Sequence, residues 1–165
     1  MKNRLLLKWL VRLGILREHG LGLREIQETI AKIDPLPGAK EFLDELRSKA
    51  QAVIISDTFQ EFAGPLMKKL SWPTLFCNQL TVDSNGMISG FRLRIQNTKL
   101  STVRAFQSIG YETIAIGDSF NDLDMLKASK TGILFRSTDS IRAANPELPA
   151  CESYDELMHL IMDAM

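Results

Sequence analysis

The chain has 165 residues, 45% of them hydrophobic and 24% charged, which is the make-up of one globular core domain plus a small accessory and not of a disordered or low-complexity polymer. Twenty Lys and Arg balance twenty Asp and Glu, so no global field holds nucleic acid or an anionic membrane, and any phosphate must be bound locally. Two distant cysteines, Cys77 and Cys151, exclude a disulfide framework and a Cys-based zinc site, and a reducing cytoplasm is expected.

The basic start followed by Leu5 to Leu16 resembles a signal peptide, but Lys8 and Arg12 interrupt it. Export is therefore not expected, and a span of about 20 apolar residues is excluded. Leu5, Trp9, Leu13 and Leu16 instead recur at helical spacing, with Arg4, Lys8 and Arg12 on a second stripe and Gly20 as the stop. Leu23, Ile26, Ile30 and Ile33 mark a second helix ending before Pro35, and Phe42, Leu43 and Leu46 a third. Ala52 to Ile55 is a short buried strand, and Phe59, Phe62, Leu66 and Leu70 mark the next helix. Two β-prone runs, Leu75 to Val82 and Met87 to Arg94, flank Asp83-Ser-Asn-Gly86, whose Asn-Gly suits a tight hairpin turn. A helix around Val103 and Phe106, a strand over 113–116, a helix over 123–128, a strand over 132–135 and a helix over 154–162 complete the chain. The alternation predicts an α/β fold with an open, mostly parallel Rossmannoid sheet and an inserted β-hairpin.

Ligands of such sheets bind beyond the carboxyl ends of the strands. After the first strand comes Ser56-Asp57-Thr58, a hydroxyl with backbone donors of the kind an oxyanion needs, although the same residues also serve as plain helix caps. After the strand over 113–116 comes Gly117-Asp118-Ser119-Phe120-Asn121-Asp122. Asp118 is placed to ligate a hard cation such as Mg²⁺, with Asp122 as a ligand or a support one helical turn on. A capping-box variant, Ser119-x-x-Asp122, explains the acids but not both Gly117 and Asn121. Lys99, between the hairpin and the next helix, is a compact charge that could neutralise a phosphate. His19 and His159 share no metal spacing, and the seven methionines read as core filler.

The order Ile-Ile-Ser56-Asp57-Thr58, Lys99, Gly117-Asp118-x-x-Asn121-Asp122 resembles motifs two to four of the haloacid dehalogenase superfamily of Mg²⁺-dependent phosphohydrolases. Arg-Glu-His19-Gly-Leu, Ser56-Asp-Thr-Phe59 and Gly132-Ile-Leu-Phe135 bring it nearest to the phosphoserine phosphatase branch, and within it to the bifunctional phosphoserine phosphatase/homoserine phosphotransferases. The resemblance implies that Ser56 and the Asp57 backbone bind the phosphoryl group, Lys99 offsets its charge, Asp118 ligates Mg²⁺ and Asn121 touches the substrate. Asp122 would support the metal site, and Arg12 would bind the carboxylate of phosphoserine, with homoserine as a further acceptor. It also implies a helical cap remnant at residues 1–34 and an incomplete α/β core at 35–165. The family's first motif, a central strand ending in the nucleophilic Asp, has no counterpart before Ser56, where the only aspartates are Asp34 and Asp44. The expectation is thus a chain that starts inside the cap, through a late start or as a gene remnant, and that is unstable alone. Two functions follow: a phosphoserine-directed enzyme acting through an aspartyl-phosphate, or a non-catalytic remnant that binds phosphate or Mg²⁺.

Overall fold

The computed structural model describes residues 4–95 and 97–165, with residues 4–8 as backbone only. The predicted contributions of Arg4, Leu5 and Lys8 to the first helix therefore lie outside the described side chains. The elements run α1 (Arg4–Glu18), α2 (Leu23–Ile30), α3 (Ala39–Lys49), β1 (Val53–Phe59), α4 (Gln60–Lys69), β2 (Thr74–Val82) and β3 (Ile88–Arg92). Then come α5 (Thr98–Ser108), β4 (Ile114–Gly117), α6 (Leu123–Ala128), β5 (Thr131–Phe135), α7 (Asp139–Ala144), β6 (Ala150–Cys151) and α8 (Tyr154–Ala164). They form two compact units, one running through Lys40 and from Ser56 to Arg94, the other comprising Glu41–Ile55 and Ile95–Met165. The first unit thus joins the two leading helices to α4 and the hairpin, where the sequence suggested a boundary at residue 34.

In the first unit, α1 turns Trp9, Leu13 and Leu16 inward at helical spacing, and they pack with Phe59, Phe62, Leu80, Ile88 and Phe91. The His19 ring nitrogen Nδ1 meets the Ile15 carbonyl at 2.9 Å, and Gly20 at φ +65° ends the helix. α2 stops at Ile30, short of the predicted Ile33, which stands 56% exposed beyond it. The helix begins against the hairpin tip: Leu23 N–H donates to the Gly86 carbonyl at 2.9 Å, and a Cβ on Gly22 would lie 3.0 Å from that same oxygen. The hairpin is antiparallel, as predicted, with Leu80 opposite Phe91. Its turn is not the two-residue Asn-Gly type, because Gly86 takes a positive φ and Asn85 does not. Asp83 makes the turn instead, its carboxylate accepting from the N–H groups of Asn85 and Met87, each at 2.9 Å.

Strand β1 runs four residues past its predicted end, so that Ser56, Asp57, Thr58 and Phe59 are strand and not the start of a helix. It joins the hairpin in a three-stranded sheet of order β1-β2-β3, separate from the sheet of β4, β5 and β6. Two long-range effects draw it out: β2 supplies the ladder, and Phe59, fully buried, packs edge-on against Trp9 with centroids 4.5 Å apart.

The second unit holds the parallel sheet β4-β5-β6, in register from Ile114 opposite Thr131 to Gly117 opposite Leu134. Side chains alternate across it. Ala115 and Leu134 face Val103, Met125, Leu126 and Ile141 from α5, α6 and α7. Ile114, Ile116 and Ile133 face Phe42 and Leu46 of α3 and Leu157 and Ile161 of α8. Helices thus cover both faces, as a parallel sheet requires. At Gly132 a Cβ would lie 2.6 Å from the Leu126 carbonyl oxygen, so only glycine lets α6 sit this close to β5. Two elements, α7 and β6, were not predicted.

Candidate active site

The candidate residues divide between the two units, and each group has its own geometry. In the second unit, β4 ends at Gly117 and the chain loops through Asp118 to Asn121 before α6 begins. Asp122 is the residue before α6, yet its carboxylate does not cap that helix. It turns back: Oδ2 accepts from the Ser119 hydroxyl at 2.7 Å and the Ser119 N–H at 3.1 Å, while Oδ1 accepts from Lys99 Nζ at 2.5 Å. The Ser119 N–H bond to Asp122 is the acid half of a capping box, but the box is not closed, because the serine hydroxyl donates to the acid where a closed box would have its oxygen accept from a backbone N–H.

Lys99 lies inside α5, in its first turn, and not ahead of the helix as expected. The helix starts early because Asn97 adopts a left-handed conformation and the Thr98 hydroxyl donates to the Ile95 carbonyl at 2.9 Å. Both side chains of the pair are sheltered, Lys99 with 17% and Asp122 with 5% of its surface exposed. Burial pushes the Asp122 carboxyl up, but the hydrogen bonds of Lys99 and Ser119 and the lysine charge outweigh it and hold the group below its ordinary range. Gly117 makes room for this arrangement, since a Cβ there would lie 2.4 Å from the Asp122 Cβ.

Asp118 and Asn121, by contrast, are exposed, and among the described residues no partner engages the Asp118 carboxylate. With both Asp122 oxygens taken, Asp118 is the carboxylate of the loop over 118–122 left open to a cation. No group of three His, Cys, Asp or Glu side chains able to hold a metal occurs among the described residues. The donor set fits Mg²⁺ as a single carboxylate in a shell otherwise filled by water and substrate oxygens.

In the first unit, Ser56 stands at the middle of β1 and Asp57 follows it, both half-buried, so neither is at the strand end where the sequence placed them. The Ser56 hydroxyl oxygen accepts from the Thr58 N–H at 3.2 Å, and neither residue caps α4, which has no side-chain cap. Arg12 is exposed on α1, its guanidinium 5.3 Å from the centre of the Trp9 ring. Asp34 is tied to Lys69 at 2.7 Å and follows a helix, so it offers no strand-end nucleophile.

Two residues were missed from sequence. Asn78, 1% exposed within β2, donates to the Asp57 carbonyl at 2.9 Å and accepts from the Arg94 N–H at 3.1 Å, fixing the backbone at Asp57. An amide inside an apolar β run was the available signal. Ser119 carried no signal beyond its cap-like spacing.

An apolar strand, a glycine that admits a buried acid, that acid paired to a lysine, and an exposed aspartate thus stand together at the carboxyl end of β4, where open α/β sheets take their ligands. The sequence profile of the haloacid dehalogenase-like hydrolases matches residues 4–130, and the chain belongs to this family. It is 46% identical over 153 residues to the phosphoserine phosphatase ThrH of Pseudomonas aeruginosa, covering 93% of this chain and 75% of that protein. It is 47% identical over 146 residues to a phosphoserine phosphatase of Pseudomonas syringae pv. tomato, covering 88% of this chain but only 62% of the relative. Among solved structures, the phosphoserine phosphatase from T. onnurineus in complex with NDSB-201 superimposes with a TM-score of 0.66 at 24% identity, covering 97% of this chain and 77% of that one. A phospho-aspartyl intermediate analogue of phosphoserine phosphatase gives 0.69 at 21% identity, over 85% and 70%. These likenesses establish the fold. No helix among the described residues is long and apolar enough to cross a membrane.

Proposed function

We propose that the chain carries the phosphate- and Mg²⁺-binding part of a phosphoserine phosphatase. The observation that carries this reading is the junction after β4, where the exposed Asp118 stands in the same short loop that anchors the buried Lys99–Asp122 pair. Lys99 offsets phosphoryl charge, and Asp122 keeps its ammonium at the strand end. Asp118 holds Mg²⁺, which when bound spreads the negative charge of the phosphoryl oxygens. The Ser56 hydroxyl and the Asp57 N–H bind the phosphoryl group, and Asn78 steadies the latter's peptide. Asn121 contacts the substrate, and Arg12 pairs with its carboxylate. Homoserine in place of water as acceptor would make the same site a phosphotransferase. Two buried, unbridged thiols suit work in a reducing cytoplasm.

The family reaction needs a nucleophilic carboxylate at the end of an apolar strand. Among the described residues every element before β1 is a helix, and for these residues taken alone a second reading is that phosphate or phosphoserine is bound but not turned over. The test is phosphate release from phosphoserine by the 165-residue chain with Mg²⁺, followed by ³¹P NMR alongside binding of inorganic phosphate. Release abolished by Asp118→Asn establishes the enzyme, and phosphohomoserine formed when homoserine is added establishes the transferase. Binding without release establishes the second reading. Absence of both refutes the proposal.

A further inference from the structure

Asp122 can present only one oxygen to Lys99 if its carboxylate is fixed in rotation, and Lys99 alone does not fix it. The far oxygen is held by both donors of a single residue, the N–H and the hydroxyl of Ser119, at 3.1 and 2.7 Å. The Asp122 N–H in turn donates to the Ser119 carbonyl at 2.9 Å, closing the loop on itself. Gly117 leaves open the space that this carboxylate fills, since a Cβ there would lie 2.6 Å from Asp122 Cγ and 3.0 Å from Oδ2.

We infer that Ser119 is a positioning residue: its hydroxyl locks Asp122 so that the carboxylate holds the Lys99 ammonium at the carboxyl end of β4. The N–H contact fixes one direction only, and the hydroxyl supplies the second point that stops rotation about the Cβ–Cγ bond. Without it Oδ1 swings, and the ammonium, on a flexible four-carbon stem, spends its time elsewhere. Satisfying a buried carboxylate would be a purely structural role. That role predicts a loss of stability when the hydroxyl is removed, but no change at Lys99.

The inference rests on the phosphate role of Lys99 for its purpose but not for its test. The full chain is treated with acetic anhydride, and modification of Lys99 is timed by mass spectrometry against Lys127, an exposed lysine on α6. Ser119→Ala is expected to speed modification of Lys99 relative to Lys127 about 5-fold, the loss of one buried hydrogen bond of roughly 1 kcal/mol. Ser119→Thr, which keeps the hydroxyl, restores protection. If Ser119→Ala unfolds, seen as loss of the cooperative urea transition, the pair Ser119→Thr and Ser119→Val gives the same comparison, hydroxyl against methyl. Ser129→Ala removes a hydroxyl bonded to the Met125 carbonyl on the same helix, and it should leave Lys99 unchanged. Protection of Lys99 that is the same in the hydroxyl-bearing and hydroxyl-lacking proteins overturns the inference. A wild-type chain whose Lys99 is protected but which binds no inorganic phosphate overturns the functional proposal instead, leaving the role of Ser119 standing.

Discussion

In the first unit the loop and strand ends are held by aromatic packing, with Trp9, Phe62 and Phe91 arranged around the buried ring of Phe59 at centroid distances of 4.5 to 5.7 Å. In the second they are held by a charge, Asp122, pinned among Lys99, Ser119 and a glycine that yields it space. Packing is non-directional and tolerates small shifts; a hydrogen-bonded buried ion pair fixes where two charges sit but must be complete to be worth having. The phosphate role proposed for Lys99 calls for the second kind of precision. The contrast can be broken at either end.

Phe59→Ala should cost about 3–5 kcal/mol, since it empties the centre of the aromatic cluster; urea unfolding reads this as a lower midpoint. Lys99→Met should cost about 3 kcal/mol, because it leaves the buried Asp122 carboxylate without its cation. Restoring much of that loss with the further change Asp122→Leu would show that the cost is the orphaned charge and not the lost lysine. Gly132→Ala, which forces a methyl against the Leu126 carbonyl, should cost about 1–3 kcal/mol with no charge involved. The smallest effect belongs to the α8 cap. Ser153→Ala should lose about 1 kcal/mol of helix anchoring, read as a drop in melting temperature.

That cap also has a pH signature. The N–H groups of Glu152 and Ser153, with the Ser153 hydroxyl, hold the Glu156 carboxyl below its ordinary range. A lowered folded value means its contribution is complete above about pH 4.3, the unfolded value, and is lost as pH falls through the folded one. The difference in melting temperature between wild type and Glu156→Gln should therefore shrink below that pH.

Much of this was legible because it is periodic. Helix α6 falls on the predicted 123–128, and β4 and β5 lie within a residue of expectation, since a short apolar run beside Gly marks each. β6 has two residues and exists only because β5 offers a ladder, so no local pattern announces it. The extension of β1 was hidden for the opposite reason: Ser-Asp-Thr reads locally as a cap, and what makes it strand is a partner in β2 and the burial of Phe59. The geometry of the candidate site was half legible. Gly117, Asp118 and Asp122 declare themselves in one loop, but the Lys99–Asp122 bond joins residues 23 apart and depends on how α5 and α6 dock. No spacing rule contains that.

The close seat of α6 on Gly132 reaches further than packing. Asp122 is the residue from which α6 springs, and Leu126, whose carbonyl rests over Gly132, lies one turn along the same short helix. Whatever sets the height of Leu126 above the sheet therefore sets the height of Asp122, and through it the place of the lysine charge. Gly132 works as a spacer gauge: a position with no side chain of its own fixes the tolerance to which the charged pair is built.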